Sequence, residues 1–187
     1  LPNLRFVGVV GVDESLFSAD FRAHEKLAQL LVQVAGRAGR GQHEGHVLIQ
    51  THHPGHPMLS ILLDGGYPAF AANALEERRL AGMPPYRFMA VLRCESTHLD
   101  GVQQFLQEAG AHLADVRAAL SAAVHSTGAL PAGMPRRAGM HRWQIILTGD
   151  TRQALQQVLG AAMPGLYALR SARKTRWSVD VDPTDFC

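Results

Sequence analysis

The chain is 187 residues long, 47% hydrophobic and 18% charged, with a formal net charge of +2. These are values of an ordinary globular protein of one large or two small domains, and they exclude nucleic-acid binding through bulk positive charge alone. Its two cysteines, Cys94 and Cys187, form no disulfide framework and no Cys-based zinc site. No apolar run spans a bilayer and no signal peptide opens the chain, so a cytoplasmic protein without a membrane partner is expected.

In chain order, residues 4–13 form a valine-rich apolar run, which predicts a strand buried on both faces as in a parallel α/β sheet. After Asp13 and a polar loop, a helix is expected over 23–35, with Leu27, Leu30, Leu31 and Val34 on one stripe and Gly36 as a left-handed stop. Residues 46–51 predict a second strand, completing a βαβ unit. Helical periodicity returns at 58–63 and again at 67–81, where Phe70, Ala74 and Leu75 share a side. Pro84-Pro85 marks a domain boundary. The remainder predicts a strand over 87–95 and a helix over 99–123. An extended piece near 125–130 and a turn segment over 131–139 follow. Then come a strand over 142–148, a helix over 151–162 capped by Asp150, and a strand over 175–181. The order βαββαβ matches a small α+β, ferredoxin-like domain.

Gln33 to Arg40 reads Q-V-A-G-R-A-G-R. Two arginines, each after a glycine, stand where an amphipathic helix gives way to a loop. Phosphoryl transfer develops charge on oxygens that an arginine reaching in from a second lobe can neutralise. The intact motif points to that chemistry far more strongly than any single Gly-Arg pair, which usually marks a solvated helix end. His52-His53-x-x-His56 is interrupted by Pro54 and Pro57 and has no supporting cysteine or carboxylate, so it reads as a turn and no metal site is assigned. Ser15, Asp20 and His24 lack the strained turn that a hydrolase nucleophile needs.

The motif Q-V-A-G-R-A-G-R resembles motif VI of superfamily 2 helicases. Its flanks, Leu16 to Ala23 and Gly45 to Pro54, resemble the primosomal protein N′ (PriA) family of replication-restart helicases. Further landmarks are Glu77-Arg78-Arg79, Met83-Pro84-Pro85, Arg142-Trp143-Gln144 and Asp180-Val181-Asp182-Pro183. Lys26 stands where the family usually has arginine. The resemblance implies an α/β chain. Residues 1–53 would be the distal part of the second RecA-like helicase lobe, 54–85 a helical connector, and 86–187 a C-terminal domain that binds DNA and partners. It implies a C-terminal piece of a 3′-to-5′ ATP-dependent DNA helicase that recognises stalled or abandoned forks and initiates primosome assembly. A catalytically silent scaffold of the same family is the alternative. Arg40 would be the arginine finger, with Arg37 and Gln33 beside it, and Asp20 and Arg22 would couple nucleotide to DNA. ATP and Mg²⁺ would belong to the full-length parent and zinc to an insertion absent here. The sequence lacks a G-x-x-x-x-G-K-[ST] loop, and Ser15-Leu16 does not continue Asp13-Glu14 as a Mg²⁺-binding acidic box. This chain alone is therefore expected to hold no cofactor and to hydrolyse no ATP.

Charge is unevenly distributed in the second half. Between 135 and 176 eight residues are basic and only Asp150 is acidic. Arginines neutralise phosphates, so Arg136, Arg137, Arg142, Arg173 and Lys174 are candidate contacts to forked or single-stranded DNA. Alternation in strand 142–148 puts Trp143, Ile145 and Leu147 on one face and Gln144 and Ile146 on the other, which reads Trp143 as a core residue, with base stacking by Trp143 or Trp177 as the alternative. Arg152 and Gln156 share one face near a positive helix N-terminus, suited to a carboxylate. The family resemblance implies that they dock the acidic tail of single-stranded-DNA-binding protein, and that other primosome proteins are partners.

Overall fold

The computed structural model describes residues 5–18, 20–38 and 45–184. It divides into two compact units, Leu1–Glu77 and Arg78–Cys187.

In the first unit, β1 (Phe6–Val9) pairs in parallel with β2 (His46–Ile49), Phe6 opposite His46 and Val9 opposite Ile49. Between them lie the short α1 (Asp13–Leu16) and α2 (Ala23–Ala35). A long helix, α3 (Pro57–Leu80), follows and crosses the unit boundary. Val12, Leu16, Leu27, Ala28, Leu31, Met58, Leu59, Leu62 and Phe70 form the core. The βαβ order is as expected, but three details differ. β1 is not buried on both faces: Phe6 is 59% exposed and Leu48 on β2 is 60% exposed, because only the opposite face, with Val9 and Ile49, packs on the core among the described residues. The buried stripe of α2 is Ala23, Leu27, Ala28 and Leu31, while Leu30 is exposed. The stripe follows the i, i+4, i+8 row, and Leu30 falls off it. Gly36 does end α2, yet in a right-handed conformation (φ −68°, ψ −10°) and not a left-handed one. In α3 the break between the two predicted helical stretches is Gly66, at φ 71° and ψ −176°, a region essentially closed to other residues. Phe70 is buried beyond it, but Leu75 is exposed.

The second unit is an antiparallel sheet with two helices on one face. Its elements are β3 (Phe88–Ser96), α4 (Leu99–Ala119), β4 (Val124–Ser126), β5 (Leu130–Arg137), β6 (Met140–Gly149), α5 (Arg152–Ala168), a 3-10 turn (Ser171–Lys174) and β7 (Arg176–Val181). The strand order is β4-β6-β3-β7, with β5 also lying along β6. Ala90, Leu92 and Cys94 of β3 and Ile145 and Leu147 of β6 face the helices. There they pack on Val102, Phe105, Leu106, Leu113, Leu155, Val158 and Leu166. Each such large side chain contributes about 1.5–3 kcal/mol when fully buried.

Residues 131–139 are not a turn segment. They are β5 plus a two-residue hairpin, Ala138-Gly139, both at positive φ (49° and 80°), closed by Arg137 opposite Met140. Pro131 and Pro135 are tolerated because β5 runs along the sheet edge, with an irregular register between Pro131 and Arg136. The helix expected over 151–162 continues to Ala168 through Pro164, and the burial of Leu166 at 1% exposure offsets what the proline costs. Its cap is Thr151, whose hydroxyl accepts from the Ala154 N–H at 3.1 Å. Asp150 instead pairs with Arg87 at 3.1 Å.

Candidate nucleic-acid interface

In the first unit, Gln33 on the last turn of α2 and Arg37 just past its end lie one helical turn apart, both exposed. Arg40 lies outside the described residues. An amide and a guanidinium suit the oxygens of a phosphate. A helix C-terminus carries negative partial charge and cannot by itself seat an anion. Asp20 and Arg22 are at the opposite end of α2, roughly 20 Å away at 1.5 Å per residue. The structure therefore does not bring them to Gln33 and Arg37. Asp20 is committed locally: its carboxylate accepts from the Arg22 N–H at 3.0 Å and from Lys26 at 2.9 Å. The Arg22 guanidinium sits over the Phe21 ring at 5.4 Å, and its Nε is buried without a hydrogen-bond partner.

Asp13, the first residue of α1, accepts from the Thr51 hydroxyl and, at 3.1 Å, from the His52 N–H, tying together the segments that follow β1 and β2. These hydrogen bonds, Thr51's first, hold its carboxyl below the ordinary value of 3.8. His53 and His56 pack edge-on to Phe17, and the His56 Nδ1 accepts from the Met58 N–H at 3.2 Å. Those rings serve packing and turn formation.

The second unit gathers the predicted DNA contacts. β3 runs in the opposite direction to both β6 and β7, so the start of β6, the end of β3 and the start of β7 share one end of the sheet. Arg136 and Arg137 close the β5–β6 hairpin there, and Arg173 and Lys174 end the 3-10 turn that leads into β7. All four are exposed. Arg142 is at the same end but differently employed. Its side chain is only 15% exposed and pairs with Glu95 at 3.7 Å. Arg176, which the sequence did not single out, completes a row across three strands: Arg142, Glu95 and Arg176 are register partners, and Arg176 reaches Glu95 at 3.4 Å. The next row, Gln144, Arg93 and Ser178, was also missed. The available signal was polar residues at alternate positions in three strands whose intervening residues are apolar. Those intervening residues, Trp143, Cys94 and Trp177, pack toward the helices, Trp177 against Phe105 and Tyr167 at 5.5 and 4.9 Å. Burial pushes the Cys94 thiol up to about 11.

Arg152 and Gln156 occupy the other end of the sheet, about 25–30 Å away along β3 at ~3.4 Å per residue. Both are exposed. Arg152 already holds a carboxylate, Asp182 at 3.0 Å, and lies over the Phe88 ring at 5.2 Å. The second unit thus presents a phosphate-suited end and a carboxylate-suited end. Among the described residues no helix is long and apolar enough to cross a membrane.

Residues 79–184 match the family described as Primosomal protein N C-terminal domain. The chain is similar to Replication restart protein PriA of Haemophilus influenzae, 40% identical over 98% of this chain and 24% of that protein. It is similar to the protein of the same name from Synechocystis, 36% identical over 79% of this chain and 17% of that protein. The Bacillus subtilis protein of that name is 42% identical over 49% of this chain and 11% of its own length. The chain spans about a quarter or less of the length of these relatives.

Proposed function

Because the chain belongs to the family of the Primosomal protein N C-terminal domain, we propose that it is the C-terminal part of a cytoplasmic replication-restart DNA helicase. On this reading residues of the second unit bind forked or single-stranded DNA. The observation that carries the reading is the gathering of Arg136, Arg137, Arg173 and Lys174, exposed, on one end of the antiparallel sheet. The unit's βαββαβ core and strand order β4-β6-β3-β7 support a ferredoxin-like scaffold for that surface, with β5 as an added edge strand. Such cations set the register of a phosphate backbone without reading sequence.

The first unit is read as the distal part of a RecA-like lobe. Parallel sheets are covered on both faces in nearly all folds, and the exposed Phe6, Val10 and Leu48 on and beside β1 and β2 suit burial under further strands and helices of a larger lobe. There Gln33, Arg37 and Arg40 would face the phosphates of ATP bound with Mg²⁺ by another lobe. ATP supplies the transferable phosphoryl group, and the side chains here supply hydrogen bonds and positive charge to its oxygens. Zinc belongs to a part of the parent outside this chain. Arg152 and Gln156 form the dock for the acidic tail of single-stranded-DNA-binding protein, with Asp182 as the internal carboxylate that the tail displaces or joins. Other primosome proteins complete the partner set.

The test is direct binding of the 187-residue chain to a labelled three-way fork, a linear duplex and a single strand. Fork binding that weakens steeply with salt is expected. A chain with no measurable affinity for any of the three in low salt is not the DNA-binding element proposed. Titrating an acidic tail peptide against Arg152→Ala tests the second dock, and affinity equal to that of the unsubstituted chain excludes it.

A further inference from the structure

The sheet face turned away from α4 and α5 carries a cleft of about 260 Å³ at its basic end. Two register rows form its floor: Gln144, Arg93 and Ser178, then Arg142, Glu95 and Arg176. Ala132, from the irregular stretch of β5, forms part of its wall. Gln144 is 5% exposed, and its side-chain carbonyl oxygen is buried with no hydrogen-bond partner. Buried polar groups are almost always satisfied, so an orphan acceptor lining a cleft marks a place for a donor. Around it the chemistry is mixed. Arg93 pairs with Asp180 at 3.2 Å, and Glu95 is shared loosely by Arg142 at 3.7 Å and Arg176 at 3.4 Å.

We propose that this cleft holds one unstacked nucleotide of single-stranded DNA, its base edge donating to the Gln144 carbonyl and its phosphate held by Arg142 and Arg176. The inference rests on the DNA-binding reading of the second unit and deepens it. A bare phosphate does not fit, because the orphan carbonyl and the Glu95 carboxylate only accept hydrogen bonds. A nucleotide brings N–H donors and an anion on one small body. A glutamine amide, with an acceptor beside a donor, matches the edge of an amino-bearing base, adenine above all, and carboxylates accept from the cytosine amine. Unstacked bases are also read on guanidinium planes when no aromatic platform is present, and the aromatic neighbours here, Trp143 and Trp177, pack toward the helices. The volume lies just under the ~300–1,000 Å³ of pockets that bury drug-sized ligands, which suits one nucleotide and excludes a duplex.

The chain's two tryptophans both border the cleft, so their fluorescence reports its occupancy. The experiment titrates the 187-residue chain with dAMP, dCMP, dTMP, inorganic phosphate and a short acidic peptide, and measures forked-DNA binding on the same preparations. Saturable dAMP and dCMP binding is expected, tighter than dTMP or phosphate by roughly tenfold to a hundredfold. Gln144→Leu should abolish that preference. Arg176→Gln, at a side chain 83% exposed and therefore safe for folding, should weaken all nucleotides alike. Binding of phosphate or peptide as tight as dAMP overturns the proposal, as does a base preference that survives Gln144→Leu. Fork binding without saturable nucleotide binding sinks the cleft alone. Loss of both in the unsubstituted chain sinks the DNA-binding reading with it.

Discussion

Replacing Arg136, Arg137, Arg173 and Lys174 together by glutamine removes four exposed cations at the basic end of the sheet while leaving the core untouched. Each phosphate neutralised by a protein cation contributes about 0.9 to the slope of log affinity against log salt on duplex DNA, and about 0.7 on a single strand. Arg136 and Arg137 are neighbours on β5, so their side chains leave opposite faces of the strand and one backbone path need not engage both. Two to four phosphates are therefore in play, and the slope should fall by about 2 to 4 on a forked duplex. Arg142→Gln is the contrast. Its guanidinium is largely buried, paired with Glu95 and assigned to a single phosphate in the cleft, so it should alter the slope by no more than about 0.9. The assay is fluorescence anisotropy of a labelled fork across a series of salt concentrations. A fourfold variant whose slope matches the unsubstituted chain would refute the placement of DNA on this end.

Three further outcomes follow from the packing and the shifted groups. A Cβ at Gly165 would lie 2.1 Å from the His112 Nε2, in a ring fixed near the Ala162 carbonyl at 3.0 Å, so Gly165→Ala should cost about 1–3 kcal/mol in chemical denaturation. Adding His112→Ala should recover part of that loss, and an unchanged midpoint in the single variant would contradict the packing. Cys94 titrates near 11 against an ordinary 9.0, so the fold favours the protonated thiol. Its contribution is full below pH 9.0 and is lost as pH rises toward 11. In a Cys187→Ser background, thiol labelling at pH 8 should require unfolding, and rapid labelling of the native chain would be inconsistent with that burial. The carboxyl of Asp13 is held low by Thr51 and His52, so it stabilises the fold above its ordinary 3.8 and ceases to do so as pH falls through its lower folded value. Asp13→Asn should flatten the acid limb of the unfolding curve, and an unaltered limb would show that this network is not formed.

Much of this fold was legible because the chain punctuates itself. The glycine and proline clusters around Gly66, Pro84 and Gly139 fall at a helix kink, at the approach to β3 and at a hairpin tip. Alternation in β6 correctly separates Trp143, Ile145 and Leu147 from Gln144. The misses have a common origin in register. β5 was hidden because two prolines read as a turn until an edge position removes the need for their amide hydrogens. Leu30 and Leu75 carry apolar side chains at helical spacing but fall beside the buried row. The basic residues could be counted from the sequence. Their gathering at one sheet end could not, since it depends on β3 running against both β6 and β7. Gln144, Arg93 and Arg176 were not assigned to a site for the same reason: each is unremarkable in its own strand and forms a cleft only across three.

Hydrogen exchange of the 187-residue chain, free and saturated with forked DNA, reads directly which end of the sheet the DNA covers. Slowed exchange is predicted across the β5–β6 hairpin, residues 134–142, and across the turn into β7, residues 171–176, with no change over residues 150–157 around Arg152. Protection confined to residues 150–157, or absent from the hairpin and the turn while DNA is bound, would contradict the account.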